Sequence, residues 1–315
     1  MEQTYKKSIG NVFQKLGPFL AFVLLFIVVA VLNPSFIEPL NLLNLLRQVS
    51  INALIAFGMT FVILTGGIDL SVGSILALSS ALMAGMIVSG VDPILAIFIA
   101  ALLGAVMGAV NGLLVTKGKV APFIATLATM TIYRGLTLVY TNGNPITGLG
   151  DHYSFQLFGR GYFFGIPVPA VTMMVTFFIL WFILHKTSFG RKTYAIGGNE
   201  KAAFVSGIKV DRVKCLIYSL AGMMAAISGA ILTSRLNSAQ PTAGTAYEMD
   251  AIAAVVLGGT SLAGGKGRIF GTLVGALIIG TLNNGLNLLG VSSFYQQVVK
   301  GIVILIAVLI DRKKS

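Results

Sequence analysis

Long apolar stretches separated by short polar interruptions make up most of the chain. Ten stretches approach the roughly 20 apolar residues that a helix needs to cross a bilayer. The eighth stretch is short and rich in glycine, and only Gly66-Gly67 separates the second stretch from the third. The eighth stretch and the region around Gly66-Gly67 are therefore candidates for broken or re-entrant elements. The pattern predicts an all-α polytopic membrane protein with about ten transmembrane helices. The predicted spans are residues 16–32, 48–65, 70–90, 93–116, 120–141, 166–185, 213–234, 250–263, 268–289 and 294–310.

Composition supports a membrane protein. Of 315 residues, 56% are hydrophobic and only 10% are charged, whereas a soluble domain carries about a quarter charged residues. Cys215 is the single cysteine, which excludes an internal disulfide. The first apolar stretch runs into Asn33-Pro34-Ser35 without a small-x-small cleavage site, so it is read as a retained span and not as a signal peptide.

The distribution of Lys and Arg predicts the orientation. Placing both termini in the cytoplasm puts 17 of the 22 basic residues inside and only Arg47, Arg160 and Arg235 outside. Arg134 and Lys300 lie within spans and are expected to snorkel toward the outer side. The net charge of +12 therefore reflects loops between spans, and a nucleic-acid partner is rejected. The predicted segments are a cytoplasmic N-terminal segment 1–15, a membrane domain 16–310 and a cytoplasmic tail 311–315.

A basic interval, residues 186–214, separates the sixth and seventh spans. Asn199 is a good helix N-cap, Glu200 suits the first helical turn, and Gly207 suits a left-handed stop. The pattern predicts a helix of about two turns, roughly 10 Å long. Because so short a helix is unstable alone in water, we expect it to dock onto something. The alternative is an ordinary positively charged cytoplasmic loop.

Two glycine-rich segments resemble one another. Residues 104–114 on the fourth span match residues 275–286 on the ninth, and these spans run in opposite directions. They form a candidate inverted repeat of the kind common in transporters, although chance similarity between glycine-rich helices would look the same. Glycines at four-residue spacing, as in Gly104, Gly108 and Gly112, predict close helix packing.

The polar residues within the spans are mostly amides and hydroxyls. Interhelical hydrogen bonds explain most of them, but a path lined in this way suits a neutral polyol better than an ion. Asp69 follows the Gly66-Gly67 break, where it is either an N-cap or a substrate contact. The polar residues within the spans include Asn52, Thr60, Ser79, Ser80, Asn111, Thr126, Thr129, Tyr133, Asn283, Asn284, Asn287, Gln296 and Gln297.

Catalytic and metal-binding motifs are not recognisable. The segment 258–267 looks like a phosphate loop, but Thr260 replaces a required glycine and Gly267 follows Lys266. His152 and His185 fall in loops or at span ends. We therefore predict no catalytic residue, no metal and no cofactor in this chain. Because membrane-embedded carboxylates are scarce, a partner on the central loop explains energy supply better than proton coupling does.

Several stretches resemble the permease subunits of ATP-binding-cassette monosaccharide importers, and closely the bacterial ribose permeases. The resemblance covers nearly the whole chain. It is carried by Leu64–Gly73 (LTGGIDLSVG), Tyr140–Gly143 (YTNG), Gly197–Glu200 (GGNE), Ser238–Gly267 and Leu282–Ser293.

The resemblance implies a permease domain in a bacterial cell membrane and a homodimer with the pore at its interface. It also implies a cytoplasmic ATPase subunit holding ATP and Mg²⁺, and an extracytoplasmic ribose-binding or sugar-binding protein. The central helix then corresponds to the coupling helix that carries closure of the ATPase to the permease. The importer pattern, Glu-Ala-Ala, three residues and Gly, is only partly present, since Glu200 stands one place early and no Leu-Pro follows Ile208. The implied coupling residues are Asn199, Glu200, Lys201, Ala202, Ala203 and Gly207.

Two further sets of residues are predicted. The extracytoplasmic loops 142–165 and 235–250, with Glu248 and Asp250, are expected to face the binding protein. The substrate pathway is expected to include Asn52, Asp69, Asn111, Tyr133 and Asn284. A stand-alone secondary carrier or facilitator, an intramembrane enzyme, and importers of another pentose, a hexose or a signalling furanose remain as alternatives.

Overall fold

The computed structural model describes residues 2–312; only the backbone is described for residues 2–16, 307 and 310–312. Residues 1 and 313–315, which include Lys313 and Lys314 of the predicted tail, lie outside the described residues. Within the described range the fold is almost entirely helical. Its helices are α1 (Glu2–Leu32), α2 (Pro39–Leu64), α3 (Val72–Val88), α4 (Pro93–Thr116), α5 (Pro122–Thr141), α6 (Tyr153–Arg160), α7 (Val168–Lys186), α8 (Ser188–Gly198), α9 (Glu200–Val205), α10 (Val210–Leu236), α11 (Tyr247–Leu257), α12 (Ile269–Leu288) and α13 (Ser293–Arg312).

Six of these helices are long and apolar enough to cross a membrane: α2, α4, α5, α7, α10 and α12. Apolar parts of α1, α3 and α13 are shorter. The predicted first span is the second half of α1, which is continuous from residue 2, so the segment 1–15 is not a separate element. With 11 residues, α11 is roughly 17 Å long and too short to cross a bilayer, and the glycine-rich part of the predicted eighth span lies in the loop after it.

Local signals explain where many helices begin and end. Proline occupies the first position of α2, α4 and α5, where a backbone N–H would have no partner in any case. The Asp92 carboxylate caps α4 by accepting from the N–H of Ile94 at 2.9 Å. Asn142 and Asn237 end α5 and α10 in the left-handed conformation that asparagine tolerates.

The centre of the bundle is α2, which contacts α10, α12, α11 and α7. From Val49 to Leu64 every residue of α2 is buried except the half-exposed Asn52. Helix α10 also packs against α4 and α3, and α12 packs against α11. The outer faces of α4, α5 and α7 are exposed and apolar, as a lipid-facing surface requires.

The predicted glycine face of α4 forms its contact with α10. A Cβ atom on Gly104 would lie 2.5 Å from the carbonyl oxygen of Gly222, and one on Gly112 would lie 2.6 Å from Cα of Cys215. The two backbones approach this closely only because side chains are missing there. The packing prediction for these glycines is confirmed.

Four elements were not predicted. The loop 142–165 contains α6, and a two-stranded antiparallel hairpin, β1 (Tyr162–Phe163) and β2 (Ile166–Pro167), follows it. The loop 186–214 contains α8 in addition to the expected short helix. A 3₁₀ helix, Pro34–Ile37, joins α1 to α2.

Candidate functional site

The short helix of the central loop is α9, and it forms as the sequence predicts. The Asn199 side chain accepts a hydrogen bond from the N–H of Ala202 at 2.9 Å. Gly207 takes a positive φ of 83° just after the helix. The helix is therefore held by its own caps at one end of the bundle, on the turn between α8 and α10.

One face of α9 is exposed and apolar. Phe204 is 71% exposed and Val205 is 84% exposed, whereas Ala203 is buried against the bundle. Glu200 forms an ion pair with Lys214 on α10 at 2.6 Å. Glu200 thus helps to fix α9 to α10, and the two apolar side chains are accessible to another protein.

The end of α8, just before α9, abuts the interior of the bundle. A Cβ atom on Gly197 would lie 2.5 Å from the backbone nitrogen of Gly265 and closer still to the carbonyl oxygen of Leu64. The N–H of Gly265 donates to that same Leu64 oxygen at 2.9 Å. The Tyr194 hydroxyl donates to the carbonyl oxygen of Gly267 at 2.8 Å, and burial raises the pKa of the Tyr194 phenol, which keeps it protonated as a donor.

These contacts join α8 to the last residue of α2 and to a glycine-rich loop. Leu64 is followed by residues 65–71, which we call the first break, between α2 and α3. The glycine-rich loop is residues 258–268, between α11 and α12. The end of α8, next to α9, is therefore in direct contact with the interior of the bundle.

The first break carries a buried carboxylate. Asp69 is fully buried and accepts from both the N–H and the hydroxyl of Ser71, at 2.9 and 2.7 Å. The Asn111 amide on α4 donates to the Ser71 hydroxyl at 2.7 Å and makes a longer contact of 3.5 Å with Asp69. The Thr126 hydroxyl on α5 lies 3.2 Å from the carbonyl oxygen of Ile68, so α4 and α5 both support this break.

Asp69 and Asn111, two of the predicted pathway residues, are thus brought together, and Tyr133 lies on the neighbouring helix α5. The Tyr133 hydroxyl donates to the carbonyl oxygen of Met107 at 3.1 Å. All three side chains are buried. In this conformation Asp69 and Asn111 hold the first break against α4, Tyr133 joins α5 to α4, and none of the three lines an open path. The N-cap interpretation of Asp69 is wrong, because Ser71 is the N-cap residue of α3.

A second break, residues 237–246, separates α10 from α11 and packs onto the first turn of α3. Arg134 on α5 donates to the carbonyl oxygens of Pro241 and Ala243 at 2.7 and 2.8 Å. The Arg134 guanidinium thus satisfies the open backbone of this break, which belongs to the predicted extracytoplasmic loop 235–250. A Cβ atom on Gly73 would lie 2.8 Å from a carboxylate oxygen of Glu248.

Glu248 and Asp250 are buried in the first turn of α11, only 8% and 4% exposed. The prediction that they face a binding protein is wrong for these side chains, because α11 turns back into the bundle. Asp250 instead pairs with Lys300 at 2.9 Å. Lys300 therefore finds its counter-charge inside the bundle and does not snorkel.

The other two predicted pathway residues lie apart from each other. Asn284 exchanges two hydrogen bonds of 3.0 Å with Asn41 on α2, so both its amide nitrogen and its amide oxygen help to join α12 to α2. Asn52 lines a polar cavity between α2, α10, α11, α12 and α13. Of the five predicted pathway residues, Asn52 is the one that borders open space.

Comparison with known proteins identifies the fold family. The family model described as "Branched-chain amino acid transport system / permease component" matches residues 41–308, most of the chain. The chain belongs to this permease family. No solved structure matches it.

Named relatives of this permease are sugar permeases. It is 79% identical to the ribose import permease protein RbsC of Bacillus subtilis over 99% of this chain and 98% of the relative. The ribose import permease protein RbsC of Escherichia coli K12 is 56% identical over 94% and 93%. The D-allose transport system permease protein AlsC of Escherichia coli K12 is 43% identical over 95% and 91%. The permease is therefore a multi-pass membrane transport subunit.

Sequence reasoning missed two groups of residues in the permease. Leu64 and Gly265 contact the end of α8 through their backbones, which leaves no signal in side-chain type. Tyr194 contacts the backbone of Gly267, a partner distant in sequence. Phe204 and Val205 lie inside the predicted helix. Two adjacent apolar residues at the end of a short helix in a basic loop could have indicated this contact surface. Among the residues that the structure describes, no cluster of His, Cys, Asp or Glu could hold a metal ion.

Proposed function

We propose that this permease forms the membrane path for ribose or a closely related monosaccharide in an ATP-driven importer. The observation that carries this proposal is the 79% identity, over essentially full length, to a ribose import permease. Identity falls to 43% and 42% for the D-allose and L-arabinose permeases of Escherichia coli K12, which favours ribose among these sugars.

The energy comes from a cytoplasmic ATPase subunit that binds ATP and Mg²⁺ and docks on α9. Support comes from the exposed Phe204 and Val205 on a capped helix fixed to the bundle by Asn199, Glu200 and Ala203. Lys201 and Ala202 are exposed on the same helix and extend this surface, and Gly207 ends it. The 186–214 interval is accordingly the coupling loop, and the permease itself holds no nucleotide.

The permease domain spans residues 16–310 with ten membrane segments, two of them incomplete, and has both termini in the cytoplasm. The Lys and Arg distribution supports this orientation. An inverted repeat relates α2–α5 to α10–α13, since each set has a long helix, a break, a short helix and two further helices. Asp69 with Asn111 in the first set and Asp250 with Asn283 in the second are matching acid–amide contacts.

Two further partners complete the importer. A second copy of the chain forms the pore together with the first, as the resemblance to cassette importers implies. An extracytoplasmic sugar-binding protein docks on the loops 142–165 and 235–250. Since Glu248 and Asp250 are buried, the exposed Tyr153, Phe164 and Met249 replace them as contacts.

The experiment is uptake of labelled ribose into vesicles that contain the permease, its ATPase and its binding protein. We expect uptake to require ATP and all three components. Uptake by the permease alone would support a stand-alone carrier instead. Competition by unlabelled allose and arabinose reports the sugar preference, and uptake that prefers either of them over ribose contradicts the ribose assignment.

A further inference from the structure

A polar cavity of about 320 Å³ lies between α2, α10, α11, α12 and α13. Five amide side chains line it, contributed by α2, α12 and α13. Its mouth lies where α12 ends and α13 begins, because Asn287 is exposed there. The amides are Gln48, Asn52, Asn283, Asn287 and Gln296.

The amides are not all consumed by the fold. Asn52 is the single half-exposed residue between Val49 and Leu64 on an otherwise enclosed helix, and the cavity is what exposes it. Asn283 also lines the cavity, next to Asp250, to which its side chain is hydrogen-bonded.

The charges at the cavity restrict the ligand class. Asp250 and Lys300 line it but neutralise one another at 2.9 Å, which leaves Arg235 as a single cation near the end of α10. Such a lining offers many donors and acceptors and little net charge. It suits a neutral polyhydroxylated molecule, whereas an anionic sugar phosphate would call for several cations.

The size agrees with a monosaccharide. At about 320 Å³ the cavity lies at the lower end of the 300–1,000 Å³ usual for small-molecule sites. A pentose has about ten non-hydrogen atoms and is small enough for a cavity of this volume.

We propose that this cavity is a transit subsite within each permease subunit, in which Asn52 and Asn283 hydrogen-bond the hydroxyl groups of a monosaccharide after it leaves the binding protein. The inference rests on the proposed function and on the orientation that places the α12–α13 loop outside. It gives the sugar a resting place inside one subunit, beside the pore between two copies.

The test is cysteine protection in vesicles that contain the whole importer. Asn52→Cys is introduced into a Cys215→Ser background, which has no other thiol. We expect a small membrane-impermeant thiol reagent to label it, millimolar ribose to slow labelling at least threefold, and the adduct to abolish uptake. The matched control is Ser89→Cys, an exposed position at the end of α3, where ribose should change nothing.

Three results would overturn the subsite: no labelling at position 52, labelling that ribose does not slow, or an adduct that leaves uptake intact. A second variant, Asn283→Leu, tests the cavity without introducing a thiol. We expect it to lower ribose uptake about tenfold and to retain ATPase activity. Failure of the proposed function is recognised separately, because the unlabelled Cys215→Ser parent would then show no ATP-dependent ribose uptake.

Discussion

Replacement of Gly197 by alanine tests whether the end of α8 transmits motion into the bundle. The new methyl group would lie 2.5 Å from the Gly265 nitrogen and 2.9 Å from the Leu64 carbonyl carbon, with the Leu64 oxygen nearer still. A carbon atom needs about 3.5 Å from such neighbours, so the backbones must separate by more than about 1 Å. The hydrogen bond of 2.9 Å between Gly265 and Leu64 lies in the path of that shift.

The magnitude follows from overpacking, which typically costs about 1–3 kcal/mol in a close-packed interior. A matched control stands beside it, since a methyl group on Gly198 would meet nothing within 4 Å. Both substitutions change helix propensity at the end of α8 by a similar amount, about 1 kcal/mol. The difference between the two variants therefore isolates the contact with Leu64 and Gly265.

The assay measures ATP-dependent ribose uptake and ATPase activity in the same vesicles. We expect Gly197→Ala to lower uptake about tenfold or more, since each 1.4 kcal/mol is a factor of ten, and Gly198→Ala to stay within twofold of the unmodified permease. ATP hydrolysis should persist in both variants and become uncoupled in the first. Equal uptake by the two variants, at equal amounts in the membrane, would refute the reasoning.

Three further substitutions test individual contacts. Asn111→Leu removes the hydrogen bond to Ser71 at the first break, so the thermal midpoint of the detergent-solubilised permease should fall by an amount equivalent to about 1–3 kcal/mol; an unchanged midpoint would contradict the bond. Asp250→Asn leaves Lys300 without its counter-charge at a site that is only partly open to water, and we expect a loss of about 3 kcal/mol. Recovery of stability in Asp250→Asn/Lys300→Met should follow, and its failure would show that the loss does not come from an unpaired Lys300 charge. Tyr194→Phe removes the hydrogen bond to Gly267, so it should lower the stability of the permease by about 1 kcal/mol and lower uptake by a few fold. Uptake equal to wild type would mean that this bond has no part in coupling.

Local signals predicted much of the helical framework. Asp92 and Pro93 mark the start of α4, and the predicted limits of that span, residues 93–116, match the helix. The N-cap Asn199 and the stop at Gly207 likewise predicted α9 closely. These features depend on neighbours within a few residues, which a single sequence displays directly.

The functional interior was harder to predict because its partners are distant in sequence. Nothing near Asn284 indicates that its amide pairs with Asn41, and nothing near Asp250 points to Lys300. Charge alone predicted exposed side chains for Asp250 and Arg134. Asp250 is buried because α11 turns inward, and Arg134 is partly buried because it donates to the open carbonyl oxygens of the second break. Only the three-dimensional path of the breaks explains why these charges are buried.

The most direct test of the account is whether the ATPase binds to the α9 end of the bundle. Phe204 on α9 and Phe164 on the hairpin before α7 are both strongly exposed, at 71% and 90%, and lie at opposite ends of α7. Each is replaced by aspartate, and copurification of the ATPase with the permease is measured. The account predicts that Phe204→Asp loses the ATPase while Phe164→Asp retains it. Retention by both variants, or loss by Phe164→Asp alone, would contradict it.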